Sequence, residues 1–153
     1  MSEEEQDIIE VDELEDEVLV KTHEAINTEF CGEIQKLDIG YVELDLITTQ
    51  EMVADSLGLI HGGFVFSAAD YAAMLAVNER NVVLAGCDCQ FLSPARFGDI
   101  IHVIAKVRHK EGRKRNVHVT AYVMDIKIFD AEFKTVVTDR HVLKLKLLDE
   151  VEK

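Results

Sequence analysis

Residues 61 to 79 read HGGFVFSAADYAAMLAVNE, and the fold turns on this run. It contains no proline and is rich in alanine, and its only glycines, Gly62 and Gly63, stand at the start. That composition predicts a helix of about five turns. The side chains are apolar nearly all round, as in a helix enclosed by the rest of the protein. Asp70 is therefore expected to be buried or nearly so. Its neighbours one turn away, Phe66, Ser67, Ala73 and Met74, include no cation. An unpaired carboxylate in such a place costs several kcal/mol or takes up a proton. Chemistry explains such an acid better than stability does.

The chain has 153 residues, enough for one domain with a real core or for a core completed by oligomerisation. Hydrophobic residues make up 48%, and no apolar run reaches the length that spans a membrane, which predicts a soluble protein. The acidic N-terminus lacks the basic start of a secretory signal. Cys31, Cys87 and Cys89 are an odd number of cysteines, expected as reduced thiols in a cytoplasmic protein. The net charge of −14 is unevenly placed: residues 1–24 carry eleven acids and one lysine, and the remainder is only −4. This balance argues against nonspecific nucleic-acid binding.

Two domains of composition follow: an acidic segment over 1–24, and a folded domain over 25–153. Residues 1–7 read as disordered. From Ile8, the spacing of Val11, Leu14 and Val18 suggests an acidic amphipathic helix. Such a helix packs on its own domain or offers a docking surface to a protein partner. Glu29 to Thr48 reads as two short strands turning at Gly40. After the helix come four stretches of strand character, Val82–Phe91, Asp99–His109, Lys114–Phe129 and Phe133–Leu147, broken at 93–98, 111–113 and Asp130-Ala131. Leu143, Leu145 and Leu147 alternate with Lys144 and Lys146 in the last. Two strands, a long helix and four strands with short turns predict an α+β domain. In it a curved antiparallel sheet of about six strands wraps the helix.

The glycines after His61 leave backbone N–H groups free at a helix N-terminus, where an anion or oxyanion binds. Asp70 lies roughly 12 Å further along the axis at 1.5 Å per residue. That is too far for both to act on one carbonyl. An antiparallel second copy of the helix would bring Asp70 of one subunit to Gly62 and Gly63 of the other, which predicts a two-fold dimer with two shared sites. The plainer alternative is a tight helix start and a satisfied polar core residue. A second cluster, His109-Lys110-Glu111-Gly112-Arg113-Lys114-Arg115, has five bases at a turn between strands. It suits a phosphate-bearing ligand or is a solvated turn. Arg96 either adds to that site or is plain surface. Cys87 and Cys89 share one face of a strand, but no Cys/His pair follows at zinc spacing, so buried reduced thiols are expected and no metal. No His pair at helical spacing occurs, and Ser67 lacks the setting of a hydrolase nucleophile.

At these residues the chain resembles the hotdog-fold acyl-CoA thioesterases, particularly the group of the phenylacetate-pathway enzymes. Their signature is His-Gly-Gly at the start of the central helix, with an acid nine residues after the histidine. Here these are His61-Gly62-Gly63 and Asp70. The segment Phe91-Leu92-Ser93-Pro94-Ala95-Arg96-Phe97-Gly98-Asp99 also looks like that family's strand-turn segment. The resemblance covers about residues 30 to 147. It implies a hotdog fold, a homodimer or dimer of dimers, and an acyl-CoA ligand at the subunit interface, with coenzyme A as part of the ligand and no separate cofactor. It also implies coenzyme A phosphates on the basic turn, at Arg113, Lys114 and Arg115.

Two departures stand out. Asp55 occupies the position, six residues before His61, where the enzymes often carry Asn. Apolar residues near Leu84 replace a Ser or Thr of the following strand. Gly32-Glu33-Ile34 and the short connection after the helix also resemble the effector domain of a malonyl-CoA-responsive lipid-synthesis repressor. That relative binds acyl-CoA without hydrolysing it, and its helix lacks the acid. Two functions follow: hydrolysis of the thioester to free acid and coenzyme A, or acyl-CoA sensing through a protein partner.

Overall fold

The computed structural model describes residues 17–145. The expected disorder over 1–7, most of the amphipathic helix begun at Ile8, and Lys146 and Leu147 of the expected last strand lie outside them. The described part of the acidic segment is not helical: residues 17–24 have no regular structure, with a bend at Thr22, His23 at φ 54° and a turn beginning at Glu24. Asn78 clamps this stretch, its Oδ1 accepting the Lys21 N–H at 2.8 Å and its Nδ2 donating to the Leu19 carbonyl at 2.8 Å.

A single helical turn, α1 (Thr28–Cys31), precedes β1 (Glu33–Asp38) and β2 (Tyr41–Ile47). The sequence placed strand at Glu29. Asn27 instead caps a turn there, accepting the Glu29 N–H at 3.0 Å, and Gly32 at φ 101° turns the chain into β1. Gly40 makes the expected hairpin turn at φ 70°. The central helix, α2 (Gly62–Val77), is where its composition put it, and Asn78 in the left-handed conformation ends it. Then follow β3 (Val82–Phe91), β4 (Ile100–Glu111), β5 (Lys114–Val123) and β6 (Ile126–Val137).

The last two strands correct the sequence reading. The β5–β6 turn falls at Met124-Asp125, with Met124 at φ 53°, and not at Asp130-Ala131. Both of those residues are inside β6. Ala131 is buried on the inner face, and Asp130 bonds outward to His118 at 2.8 Å and Lys127 at 2.9 Å. Leu143, Lys144 and Leu145, the described part of the leucine–lysine alternation, do not make a strand either. Val142–Lys144 is a 3-10 turn whose cap is the His141 ring, accepting the Leu143 N–H at 3.1 Å.

The six strands form one antiparallel sheet in the order β1-β2-β4-β5-β6-β3. Helix α2 carries the chain from the β2 side across the concave face to the opposite edge. Alternate residues of the strands meet it: Leu44 and Leu46, Val103 and Ala105, Val119 and Ala121, Phe129 and Phe133 are all fully buried. Ala68, Ala69, Ala72, Ala73 and Ala76 present no bulk, so the helix sits close against the sheet. Each large apolar side chain so enclosed contributes roughly 1.5–3 kcal/mol. The helix is enclosed largely by its own sheet, with nine of its sixteen residues buried. What remains partly open is one stripe containing Gly63, Phe66, Ser67, Asp70 and Val77.

The two edges of the sheet differ. At one end β1 is short and charged, with a bulge between Ile34 and Lys36 that blunts it against further pairing. At the other, β3 is ten residues long, pairs among the described residues only with β6, and carries one charge, Asp88.

Candidate functional site

The start of α2 is held by two loops. His61 donates its N–H to Met52 at 3.0 Å, Ile60 to Ala95 at 2.9 Å, and Ala54 to Leu59 at 2.7 Å. His61 has extended backbone (φ −62°, ψ 130°), and its side chain does not cap the helix. The N–H groups of Gly62 and Gly63 therefore have no acceptor among the described residues. Two rings flank these donors. A Cβ on Gly63 would meet His61 Nε2 at 2.9 Å, and one on Gly62 would meet Phe91 Cε1 at 3.3 Å. The glycines keep a slot open between imidazole and phenyl. Beside it runs an apolar groove of about 360 Å³ lined by Leu59, Ile60, Val65, Phe91, Leu92 and Ile128, among others. A larger cleft of about 870 Å³ lies at the far end of the helix, bordered by charges of both signs, Lys21, Arg80, Glu24 and Glu79.

Asp70 occupies the partly open stripe of α2, one turn beyond Ser67. Its Oδ1 is buried and has no hydrogen-bond partner. Burial alone pushes its carboxyl above the usual carboxylate range, because no neighbouring cation opposes the loss of solvent. Ser67 does not satisfy it, being engaged with Cys31 Sγ at 3.2 Å. A carboxyl held in this way is chemically able to serve as a general base or acid. Within one chain Asp70 and the helix start remain about two turns apart, as the sequence required.

The other sequence candidates fall in different places. Asp55 is not aimed at the slot: its Oδ1 accepts the N–H groups of Leu57 at 2.9 Å and Leu59 at 3.1 Å, closing the loop before the helix. The basic residues form the β4–β5 hairpin, with Gly112 at φ 58°. There Arg113 pairs with Asp139 at 2.6 Å, and Arg115 Nη1 donates to the carbonyls of Gly112 at 2.7 Å and Lys114 at 3.0 Å. Lys114 is in no ion pair among the described residues.

This hairpin lies beside the end of α2, since Val137 donates to Arg113 and Thr138 to Asn81, both at 2.8 Å. Arg96 does not join it. It bridges to Leu59 near the helix start, nine strand residues away along β3, or roughly 30 Å. Within one chain the basic turn and the free N–H pair are thus at opposite ends.

Composition gave no hint of three neighbours of the site. Phe91 walls the slot, and Thr48 Oγ1 fixes the adjacent 96–99 turn by accepting from Gly98 at 2.9 Å and donating to Asp99 at 2.7 Å. Cys87 lies near enough to Asp70 to feel its charge. Only the β3–β6 register puts Cys87 and Phe91 there. The expectation of buried thiols fails for this pair: Cys87 is half-buried and Cys89 exposed, because β3 is the edge strand. On the outer face of the sheet, His102 bridges Asp45 at 2.6 Å and Glu43 at 2.9 Å. Burial lowers its pKa, but the bonds to Asp45 and Glu43 outweigh that and raise it overall.

A long helix wrapped by a six-stranded antiparallel sheet, with His-Gly-Gly at its start and an acid on its open stripe, defines the hotdog class. The chain belongs to the thioesterase superfamily, whose family model matches residues 57–128. It is 32% identical to the acyl-coenzyme A thioesterase PaaI of Escherichia coli over 106 residues, 68% of this chain and 70% of that protein. It is 27% identical to the transcription factor FapR of a Thermoanaerobacter species over 86% of this chain. It is also 49% identical to a methylthioribose-1-phosphate isomerase of Aquifex aeolicus over 76% of this chain. The chain spans 66% of the length of that FapR and 26% of that isomerase. Among solved structures, an uncharacterized protein of Pyrococcus horikoshii, PH1136, superposes with a TM-score of 0.82 at 38% identity, covering 83% of this chain and 98% of that one. No helix among the described residues is long and apolar enough to cross a membrane.

Proposed function

We propose that the chain acts in the cytoplasm as a two-fold dimer that binds an acyl-CoA thioester between its subunits and hydrolyses it to the free acid and coenzyme A. The observation that carries this is the buried Asp70 Oδ1, with no hydrogen-bond partner among the described residues, on the same helix as the N–H groups of Gly62 and Gly63, which have no acceptor among those residues. Neither feature has a structural use within one subunit. The unpaired, weakly charged edge of β3 favours a second copy. Pairing β3 with β3 of the partner about a two-fold axis continues the sheet and sets the two α2 helices side by side and antiparallel. Each Asp70 then approaches the partner's helix start, and each basic hairpin approaches the end from which the partner's ligand would extend.

In such a site the N–H groups of Gly62 and Gly63 hold the thioester carbonyl oxygen and stabilise the negative charge that develops on it. Asp70 from the other subunit takes a proton from water as the water oxygen attacks the carbonyl carbon. The carbon–sulfur bond of the tetrahedral intermediate then breaks, and the coenzyme A thiolate leaves with the proton returned by Asp70. Arg113, Lys114 and Arg115 would grip the ligand's phosphates.

Release of free thiol from a panel of acyl-CoAs tests this. Asp70→Asn should lower kcat by about 10²-fold or more while acyl-CoA affinity stays within a few-fold. A wild type that binds acyl-CoA tightly and turns over none is a sensor, its acidic segment over 1–24 meeting a protein partner. The engagement of Asp55 Oδ1 with Leu57 and Leu59, in the loop before the helix, is the observation in favour of that second reading.

A further inference from the structure

We propose that the acidic residues 1–16 dock on the basic β4–β5 hairpin of their own chain and shield it, so that the phosphates of a coenzyme A ligand must displace them. The competition rests on the acyl-CoA reading for its ligand, whereas the contact itself does not.

Charge directs the segment to the hairpin. Residues 1–16 hold nine acids and no base, while residues 109–115 hold two arginines, two lysines and His109 against Glu111. Lys110, Arg113 and Lys114 are exposed. Among the described residues Asp139 pairs with Arg113 at 2.6 Å and Glu111 with His109 at 3.5 Å, and neither Lys110 nor Lys114 is in an ion pair. The four lysines and arginines against those two carboxylates leave an excess of two positive charges. An exposed ion pair is weak alone. Tethering raises the segment's concentration at the hairpin to about the millimolar range and lets several pairs act together.

Position agrees with charge. The segment joins the described chain at Glu17, and that chain is pinned at the far end of α2, where Asn78 binds the Leu19 carbonyl and the Lys21 N–H. The hairpin belongs to the same end. Asn81, three residues beyond Asn78, accepts the Thr138 N–H, and Val137 donates to the Arg113 carbonyl, both at 2.8 Å. The pinned stretch and the hairpin are therefore a few chain widths apart, each about 4.8 Å. Residues 7–16 hold six of the nine acids and extend up to about 33–36 Å, which is ample to reach it. Two anions then compete for one surface, and neutralising the segment tightens the grip on the other. Salt weakens the hold on phosphate but also releases the segment. Wild-type affinity should therefore fall less steeply with ionic strength than that of a chain whose segment is neutralised.

Full-length protein without ligand is treated with a carbodiimide, which joins a lysine amine to a carboxylate in contact with it, and the peptides are mapped. Lys110 or Lys114 should be joined to acids of residues 1–16, and the bonds should be lost at about 1 M salt, where the Debye length is about 3 Å. Mixtures of light and isotope-labelled chains distinguish a bond within one chain from one between subunits. No such bond, or bonds between subunits alone, overturns the proposal and leaves the segment to a protein partner or to the second copy. Coenzyme A is then titrated calorimetrically into wild type and into a full-length variant carrying Asp7→Asn, Glu10→Gln, Asp12→Asn, Glu13→Gln, Glu15→Gln and Asp16→Asn. At low ionic strength the variant should bind at least about fivefold more tightly, with pantetheine, which lacks the phosphates, unchanged. Equal coenzyme A affinities overturn the competition. Crosslinks in a protein that binds no coenzyme A support the contact and remove the acyl-CoA reading, and the competition with it.

Discussion

Gly62→Pro deletes one backbone donor of the slot and leaves nearly everything else in place. Gly62 is the first residue of α2, a position whose N–H has no acceptor within the helix and where proline is well tolerated. The preceding His61, at φ −62° and ψ 130°, already has the extended conformation that proline demands of its predecessor. The one local contact is Phe91, whose Cε1 lies 3.3 Å from the new Cβ. That ring is half exposed and can yield by a few tenths of an ångström. Lost freedom of the unfolded chain offsets this contact, so stability should change by no more than about 1 kcal/mol.

Turnover should change far more. Losing one oxyanion donor removes about 2.7–4 kcal/mol of transition-state stabilisation, or about 10²–10³ in kcat, with KM little altered. Steady-state thiol release and thermal denaturation on the same preparation separate the two effects. A Gly62→Pro protein that folds normally and turns over at the wild-type rate would refute an oxyanion role for this N–H.

Asp70→Asn should stabilise the fold at neutral pH, by about 1.4 kcal/mol for each unit by which burial raises the Asp70 pKa over that of the unfolded chain. The sign follows from the upward shift. Below the unfolded value the acid is protonated in both states and the substitution changes little. The advantage of Asn grows as pH rises from the unfolded value to the raised folded value and is constant above it, so melting temperatures of the two proteins should diverge once pH passes the usual carboxylate range and then run parallel. The same shift should place the acidic limb of the kcat profile above the usual carboxylate range. Arg113→Ala with Arg115→Ala should weaken acyl-CoA binding more than tenfold, about 1.4 kcal/mol or more, and acyl-pantetheine binding much less. Equal losses in calorimetry would mean that the hairpin serves only the fold. The exposed Arg113–Asp139 pair gives little reason to expect a loss of stability.

The central helix and its acid were legible because apolar residues all round and a lone carboxylate are local facts of composition. The six antiparallel strands followed from the short connections between apolar runs. The β5–β6 turn was not legible, because Met124-Asp125 contains neither glycine nor proline, whereas Asp130 inside β6 reads as a breaker until its bonds to His118 and Lys127 are seen. The terminal alternation of Leu and Lys misled for a different reason. A strand needs a neighbour, and over residues 138–145 the described chain has left the sheet. At the site, the spacing of His61, Gly62, Gly63 and Asp70 was visible in the sequence. The engagement of Asp55, the separation of Arg96 from the basic hairpin, and the approach of Phe91 and Cys87 to α2 depend on register and loop closure. No single segment encodes those.

Mixed dimers test a site shared between two subunits most directly. Gly62→Pro and Asp70→Asn subunits, each with its own affinity tag, are co-expressed and the mixed species is assayed for thiol release from acyl-CoA. In a shared site, one of the two sites in each heterodimer has both its glycine N–H groups and its acid intact. Purified heterodimers should then recover about half of the wild-type rate, and an unsorted mixture about a quarter. Heterodimers no faster than the two parent proteins would contradict a shared hydrolytic site.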